Sequence, residues 1–428
     1  MSAPDQRSPW IWIPTLYFAE GLPYVVAMTV SVIMFKRMGI SNADIALYTS
    51  WLYLPWVIKP IWSPFVDIFR TKRFWILVMQ LFIGGTMAGV AFALPGSGFF
   101  RWSLAFLWLL AFSSATHDIA ADGFYMLGLS KNQQAFFVGI RNTFYRLAML
   151  SGQGILVVLA GYLEEKTGVI GRSWSLTFMV LALLFTGFFI YHLFFLPRPA
   201  DDTGRLAGGI KDVFHSFLDT FASFFKKRQV ALSIAFLLLY RLGEAQLVKL
   251  ASPFLLDSRE SGGLGLSTSD VGLVYGTAGI IALTIGGILG GIVVAQHGLR
   301  KWIWPLALAL NVPNLAYVGL AFWQPVSLWW VSAAVVLEQF GYGFGFTAYL
   351  LFMIYIADGP NKTAHYAICT GFMALGMMLP GMISGWIQEM LGYQWFFLWV
   401  MICTLPGFVL IPFLNIAPAF GTKEHEEA

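Results

Sequence analysis

Twelve stretches of this chain are apolar, near residues 10–33, 44–66, 74–95, 102–128, 135–162, 173–196, 229–256, 270–296, 302–322, 327–357, 363–390 and 394–418. Most reach the roughly 20 residues that a helix needs to cross a bilayer. No water reaches the hydrocarbon interior to satisfy a bare amide or carbonyl, so spanning backbone is confined to helices and closed barrels. Runs of this length predict helices, and the longer ones imply tilt or extension beyond the membrane. Composition agrees: 58% of residues are hydrophobic and 11% are charged, where a soluble domain carries about 25% charged residues. The expected class is an all-α, multi-pass membrane protein. Cys369 and Cys403 both fall in apolar runs, offering neither a disulfide framework nor metal-ligand spacing, so no metal or cofactor is expected. The first run contains Glu20 and lacks a small-residue cleavage pattern, so no cleavable leader is expected.

The longest connection separates two sets of six runs. It predicts an N-terminal six-helix bundle over 1–196, a cytoplasmic linker over 197–228, and a C-terminal six-helix bundle with a short tail over 229–428. Within the linker Ile210, Val213, Phe214, Phe217, Phe221, Phe224 and Phe225 recur at helical spacing, with Lys211, Asp212, Asp219 and Lys226 mostly opposite. That pattern predicts an amphipathic helix at the inner membrane surface.

The two halves repeat. SNADIAL at Ser41 returns as STSDVGL at Ser267, an offset of 226. SPFVDIFRTKR at Ser63 returns as GIVVAQHGLRK at Gly291, an offset of 228, and GYLEEKTG at Gly161 as GWIQEMLG at Gly385, an offset of 224. The first pair places Ser three residues before Asp, a helix N-terminus signature. An even number of spans in each half makes the repeats parallel, related by an axis along the membrane normal. A transporter with a central site between two halves follows from that arrangement; the repeat alone leaves a channel or a receptor open. With both ends inside, the inner segments carry fifteen Lys and Arg and the outer loops six, which places both termini in the cytoplasm.

Charge inside the spans is the functional signal. Ser113–Leu127 reads SSATHDIAADGFYML, within an apolar run yet carrying His117, Asp118 and Asp122. A charged carboxylate near the bilayer centre costs roughly 2.5–3.5 kcal/mol on insertion scales. Asp118 and Asp122 are four residues apart and share one helix face, so they require cations, water or a proton. Arg146 in the fifth span is expected at the depth of Asp118, and Arg141 at that of Asp122. Arginine does not deprotonate and binds carboxylates bidentately, so it is the fixed member of each pair and the acid the movable one. Glu20 and Glu244 are 224 residues apart and are expected to be pseudo-symmetric partners facing a cavity. Arg241, three residues before Glu244, is a candidate to neutralise it, and Lys59 beside Pro60 is expected to snorkel to the surface. Glu338 and Gln339 lie midway along the tenth span.

Several segments resemble the AmpG-type muropeptide permeases, a branch of the major facilitator superfamily that also includes the eukaryotic acetyl-CoA transporter. They are EGLPYVV at Glu20, IKPIWSPFVD at Ile58, SATHDIAADGF at Ser114, YRLAML at Tyr145, LYRLGEA at Leu239 and EQFGYGFGFTAY at Glu338. The stretch Asp67, Arg70, Lys72, Arg73 resembles the superfamily's loop between the second and third spans, with Ser63 and Arg70 where that loop has Gly, and is the expected gating loop. The family usually carries Gln at the position of His117, a small residue at that of Glu20, and Asp at that of Glu244. The resemblance implies the major facilitator fold, with twelve transmembrane helices in two pseudo-symmetric six-helix bundles. It further implies a monomer in the inner membrane that imports N-acetylglucosaminyl-anhydro-muramyl peptides from periplasm to cytoplasm, driven by protons, during cell-wall recycling.

Such cargo combines carboxylates with sugar rings. The expected substrate-binding residues are Arg146, Arg141, Tyr145, Asn142, Glu338, Gln339 and Tyr24. The expected proton-coupling residues are Asp118, Asp122, Glu20, Glu244 and His117, with Asp118 the favoured carrier. The second reading is a permease of the same fold for another oligosaccharide, peptide or acyl-CoA. An intramembrane enzyme is disfavoured because the chain has no P-loop, HExxH pair, GxSxG elbow or Cys/His metal cluster. A signalling receptor is disfavoured because there is no soluble domain large enough to signal. No nucleic-acid partner is expected.

Overall fold

The computed structural model describes residues 7–200, 202, 210–418 and 420–421, leaving aside the side chains of 67–68, 131, 135, 210–217 and 363. Every regular element among the described residues is a helix. In chain order these are α1 (Pro9–Arg37), α2 (Asn42–Trp51), α3 (Leu54–Ile68), α4 (Lys72–Ala93), α5 (Phe99–Gly128), α6 (Asn132–Thr167) and α7 (Ile170–Phe195). They continue as α8 (Ile210–Phe225), α9 (Val230–Leu256), α10 (Thr268–His297), α11 (Leu299–Trp323), α12 (Leu328–Ala357) and α13 (Lys362–Leu410).

Ten helices among the described residues are long and apolar enough to cross a membrane. Breaks account for the remaining expected spans. The run expected over 44–66 is divided at Leu52–Tyr53 into α2 and α3, with Pro55 in the first turn of α3. A proline inside a helix removes one hydrogen bond, whereas in a first turn its missing N–H has no intrahelical partner to lose. The last two expected spans run together as α13, but Gly392 inside it has φ 74° and ψ 164° and turns the chain between them.

Three spanning helices contain wide π turns: Val26–Val30 in α1, Ser151–Leu156 in α6 and Gly272–Gly279 in α10. Such bulges gather at functional positions. Two more helices are interrupted near mid-length, α9 at Tyr240–Arg241 and α11 by a 3₁₀ turn over Val312–Asn314. The internal repeat is visible in the caps. Ser41 accepts from the amide of Asp44 at 3.1 Å to start α2, and Ser267 accepts from that of Asp270 at 3.1 Å to start α10.

Contacts divide the chain into two compact units, Met1–Met34 with Ile58–Phe217, and Phe35–Val57 with Leu218–Ala428. The first is built on an apolar core that includes Trp12, Leu16, Ile76 and Phe124. In the second, α2 lies on α13 along a seam of small residues. An added Cβ on Gly385 would fall 2.0 Å from the Asn42 carbonyl oxygen, and one on Gly381 2.7 Å from the Ser50 hydroxyl. Polar groups lock the end of that seam: Asn42 donates to Gln388 at 2.6 Å, Tyr393 donates to Asp257 at 2.6 Å, and Lys36 pairs with Asp257 at 2.6 Å. The linker helix α8 docks through its C-terminal turn. Phe224 is buried in the core of the second unit, and the Ser223 hydroxyl lies 2.9 Å from His365 Nε2. Lys227 follows and donates to the carbonyls of Ile356 at 2.7 Å and Asp358 at 2.5 Å, placing a cation at the C-terminal end of α12. The sequence expectation that α8 is amphipathic meets exposed Leu218, Phe221 and Phe225 beside buried Phe224; its first turns lie outside the described side chains.

Because the atoms that crowd Gly385 are backbone, the seam cannot yield by a rotamer change. Gly385→Ala is expected to lower the thermal midpoint of the purified protein, by about 1–3 kcal/mol of overpacking. Gly85→Ala, where the added Cβ meets nothing within 4 Å, serves as the control and should leave it unmoved. Equal behaviour of the two variants would show that the seam is not close-packed.

Candidate functional site

In the first unit the site grows from two helix faces. Asp118 and Asp122 stack on α5 as their spacing requires, and Glu20 approaches them from α1. Oxygens of the three carboxylates lie within 4.8 Å of one another. Asp118 is paired with Lys59 of α3. Asp122 is paired with Arg141 of α6 at 2.9 Å and lies 3.5 Å from the Tyr17 hydroxyl. The Arg141 guanidinium also rests over the rings of Tyr17 at 4.5 Å and Tyr125 at 5.2 Å, a cation–π cradle that fixes it in place. Glu20 is 6% exposed, and its Oε2 has no hydrogen-bond partner.

Like charges at this separation are costly together in a low-dielectric setting. The carboxylate spacing would suit a metal ion, but the protein already directs two cations of its own at Asp118 and Asp122. Three acids set against Lys59 and Arg141 leave one negative charge, the charge that a single proton removes.

Arg141 therefore meets Asp122, the acid expected at its depth. The partner of Asp118 is Lys59, which the sequence reading sent to the surface; the break between α2 and α3 turns this proline-flanked segment so that its lysine faces α5. His117 is fully buried and points its ring at Gln80, whose amide lies 3.0 Å from His117 Nε2 and 2.9 Å from His192 Nδ1. His192 in turn lies 2.9 Å from the Thr15 hydroxyl, so His117 begins a buried chain through α4 and α7 to α1. Further along α6, Asn142 is exposed while Tyr145 and Arg146 are half-buried. The backbone of α6 closes on α1 at Gly21, where an added Cβ would sit 3.0 Å from the Tyr145 carbonyl oxygen. That close approach brings the Tyr145 stretch beside Glu20. Tyr24, one turn further along α1, is half-buried.

The expected gating loop acts as a pair of helix caps. The Asp202 carboxylate accepts from the amides of Lys72 at 2.7 Å and Arg73 at 3.1 Å, covering the N-terminus of α4. The Arg73 guanidinium donates to the Leu193 carbonyl at 2.6 Å, covering the C-terminus of α7. Anion at one end and cation at the other both match the helix dipole. Arg70 has φ 66°, a left-handed conformation that favours glycine, at the position where the superfamily loop has Gly. The side chain of Asp67 lies outside the described residues.

In the second unit Glu244 on α9 and Glu338 on α12 are both 0% exposed. The amide of neighbouring Gln339 donates to Glu338 at 3.0 Å and 3.3 Å. Arg241 donates to the Tyr342 hydroxyl and lies over the rings of Phe346 at 4.6 Å and Tyr342 at 5.2 Å. It does not bond Glu244, whose two carboxylate oxygens have no hydrogen-bond partner. Pairing at a spacing of three requires one continuous helix; Arg241, at φ −110° and ψ 19°, sits in the break of α9 and leaves that face. Lys59 and Tyr125 are the site members that sequence reasoning did not assign, while Tyr17 was a candidate for sugar stacking and here cradles Arg141. Lys59 carried a signal, being a charge within a span, whereas Tyr125 was indistinguishable from a core aromatic.

The sequence profile of the Major Facilitator Superfamily matches residues 15–365. The chain is 25% identical over 403 residues to the anhydromuropeptide permease of Escherichia coli (strain K12), covering 92% of this chain and 77% of that protein. It is 26% identical over 416 residues to the putative transporter AmpG 4 of Rickettsia conorii (strain ATCC VR-613 / Malish 7), covering 94% and 95%. Among solved structures, the nucleoside transporter NupG superposes with a TM-score of 0.69 at 16% identity, over 95% of this chain and 98% of the other. The D-xylose-proton symporter superposes with a TM-score of 0.68 at 10% identity, over 96% and 98%. These likenesses establish the fold.

The Lys59–Asp118 pair invites a double-mutant cycle. Lys59→Met should destabilise the protein because it strands a partly buried carboxylate, and adding Asp118→Asn should recover much of the loss. The expected coupling is about 1–3 kcal/mol, read as thermal midpoints in detergent. Strictly additive losses would mean that the two groups do not interact.

Proposed function

Because the chain belongs to the Major Facilitator Superfamily, we propose that this secondary transporter is proton-coupled and imports anhydro-muropeptides from periplasm to cytoplasm by alternating access. The cargo assignment is supported by the permease relative, aligned over 92% of this chain. It is also supported by a site that sets Arg141 beside the rings of Tyr17 and Tyr125, suited to carboxylates and sugar faces. The inner membrane, cytoplasmic termini and a monomeric state belong to the same reading.

One observation carries the proton coupling: three acids whose oxygens lie within 4.8 Å of one another are matched by Lys59 and Arg141, and Glu20 among them is buried. Glu20 and Asp118 take up one proton between them when cargo raises the negative charge at the site, since two adjacent carboxylates do not both ionise without cost. Cargo enters as an anion. Its carboxylate competes with Asp122 for the Arg141 guanidinium, whose side chain is 25% exposed and presented on a tyrosine cradle. Arg146, further along α6, supplies a second fixed cation, and Asn142, Tyr145 and Tyr24 complete the cargo-binding set. When Arg141 turns to cargo, Asp122 loses its partner and the triad carries more uncompensated charge. Proton uptake restores the balance. Binding of cargo and of proton therefore favour one another, and the linkage is reciprocal. The membrane potential adds about 2.3 kcal/mol per charge for each 100 mV.

Glu20→Gln fixes the shared proton in place. In proteoliposomes it should abolish accumulation of labelled anhydro-muropeptide against its gradient while leaving counterflow of cargo at equal concentrations. Arg141→Gln should abolish both. Wild-type accumulation by Glu20→Gln, still collapsed by an uncoupler, would remove Glu20 from the coupling path.

A further inference from the structure

The linker meets the second unit around a cavity that neither the acid triad nor the cargo residues use. It holds about 460 Å³ and lies where the end of α8 and the start of α9 face the end of α12 and the chain after α13. Its polar lining is Lys227, Arg228, Gln229, Ser233 and Asp358, with an exposed asparagine, Asn415, at the far side. Phe224, Val230, Phe352 and Leu414 supply apolar wall. The far side is fixed in place: the Tyr355 hydroxyl donates to the Asn415 carbonyl at 3.0 Å and accepts from the Ala417 amide at 3.2 Å.

The donors around this cavity are unspent. Ser233 is 8% exposed, and among the described residues its hydroxyl makes no hydrogen bond. The side chains of Arg228 and Gln229 likewise bond nothing there. Gln229 starts α9 at φ 59° without a side-chain cap, and no acid stands in the first turn, so the positive end of the helix is left open. Lys227 is held by two carbonyls, which do not cancel its charge. Asp358 is the only acid among the described lining residues, set against two cations and a helix start.

A hydroxyl kept nine-tenths buried without a partner forfeits its hydration, which makes it rare without a reason. Guanidinium, ammonium, hydroxyl and helix amides share one kind of acceptor, an anion that offers several oxygens, and phosphate suits that set. The apolar wall selects which phosphate. Phe224 lines the cavity, stacks edge-on to Phe225 at 5.5 Å, and Phe225 meets Phe221 at 5.2 Å. Phe221 and Phe225 are exposed, with Leu218, on the face that α8 offers to the membrane surface. An unbroken apolar track therefore leads from the cavity to lipid, and Lys226, Lys227 and Arg228 form a basic run of the kind that draws anionic headgroups.

We propose that this cavity binds the phosphate of an anionic phospholipid from the leaflet on which α8 lies. The headgroup sits between Arg228, Ser233 and the first turn of α9, and an acyl chain follows Phe224, Phe225 and Phe221. Lipid bound there fastens the linker helix to the second unit. The site shares no residue with the acid triad and stands apart from the proton reading.

The test uses the full-length protein, delipidated in detergent and unfolded thermally with phosphatidylglycerol, phosphatidylcholine or inorganic phosphate added. Phosphatidylglycerol should raise the midpoint saturably where phosphatidylcholine and inorganic phosphate do not. Arg228→Gln should raise the half-saturating lipid fraction about fivefold or more, and Ser233→Ala about threefold, as losses of hydrogen bonds to a charged group. Lys226→Gln removes the same charge outside the cavity and should respond as the wild type does. Mass spectrometry of the intact protein should show phosphatidylglycerol retained by the wild type and by Lys226→Gln, and lost from Arg228→Gln. Equal shifts by the two lipids, a full response in the double variant of Arg228→Gln with Ser233→Ala, or a loss as large in Lys226→Gln would overturn the proposal. Equal protection by inorganic phosphate would overturn it too, by making the ligand a soluble anion.

Discussion

A carboxylate inside a membrane has to be answered by something, and in this protein the answer organises the helices around it. Asp118 and Asp122 on α5 draw Lys59 from α3 and Arg141 from α6, so three helices are tied by charge where apolar packing gives little direction. Lipid tails are as apolar as leucine, and the hydrophobic effect does not choose between helix faces there. Ion pairs and close backbone contacts do. Among the described residues Glu20 enters this arrangement with no ion pair of its own, and the proposed sharing of a proton rests on that position.

Breaks in the helices do the remaining positioning. The proline-flanked interruption between α2 and α3 lets one part of the second expected span pack with α13 and the other present Lys59 to α5. The break at Arg241 detaches the guanidinium from the face of Glu244 and lays it on aromatic rings. In each case a local departure from helical geometry decides which polar group meets which, and glycines such as Gly341 and Gly385 let the backbones come close enough to hold the result.

The sequence made the class, the spans and the repeat legible because they rest on period and length alone. The pairing of Arg141 with Asp122 was legible too, since both depths could be counted from span ends along unbroken helix. Lys59 with Asp118 was not, because the count crosses the break at Leu52–Tyr53 and the orientation beyond it depends on tertiary packing. Arg241 as a candidate to neutralise Glu244 assumed helical continuity that Arg241 itself interrupts. Arg70 shows the reverse case: its left-handed backbone explains why the superfamily loop has Gly there, a constraint invisible until the backbone is seen.

The central claim is that cargo binding and proton binding are one linked event at the acid triad. It is tested most directly by adding anhydro-muropeptide to the purified protein in weakly buffered solution and following pH with an indicator dye. The account predicts net proton uptake that saturates with cargo binding and vanishes in Glu20→Gln while cargo still binds. Saturable binding with no proton exchange in the wild type, or an unchanged uptake in Glu20→Gln, would contradict it.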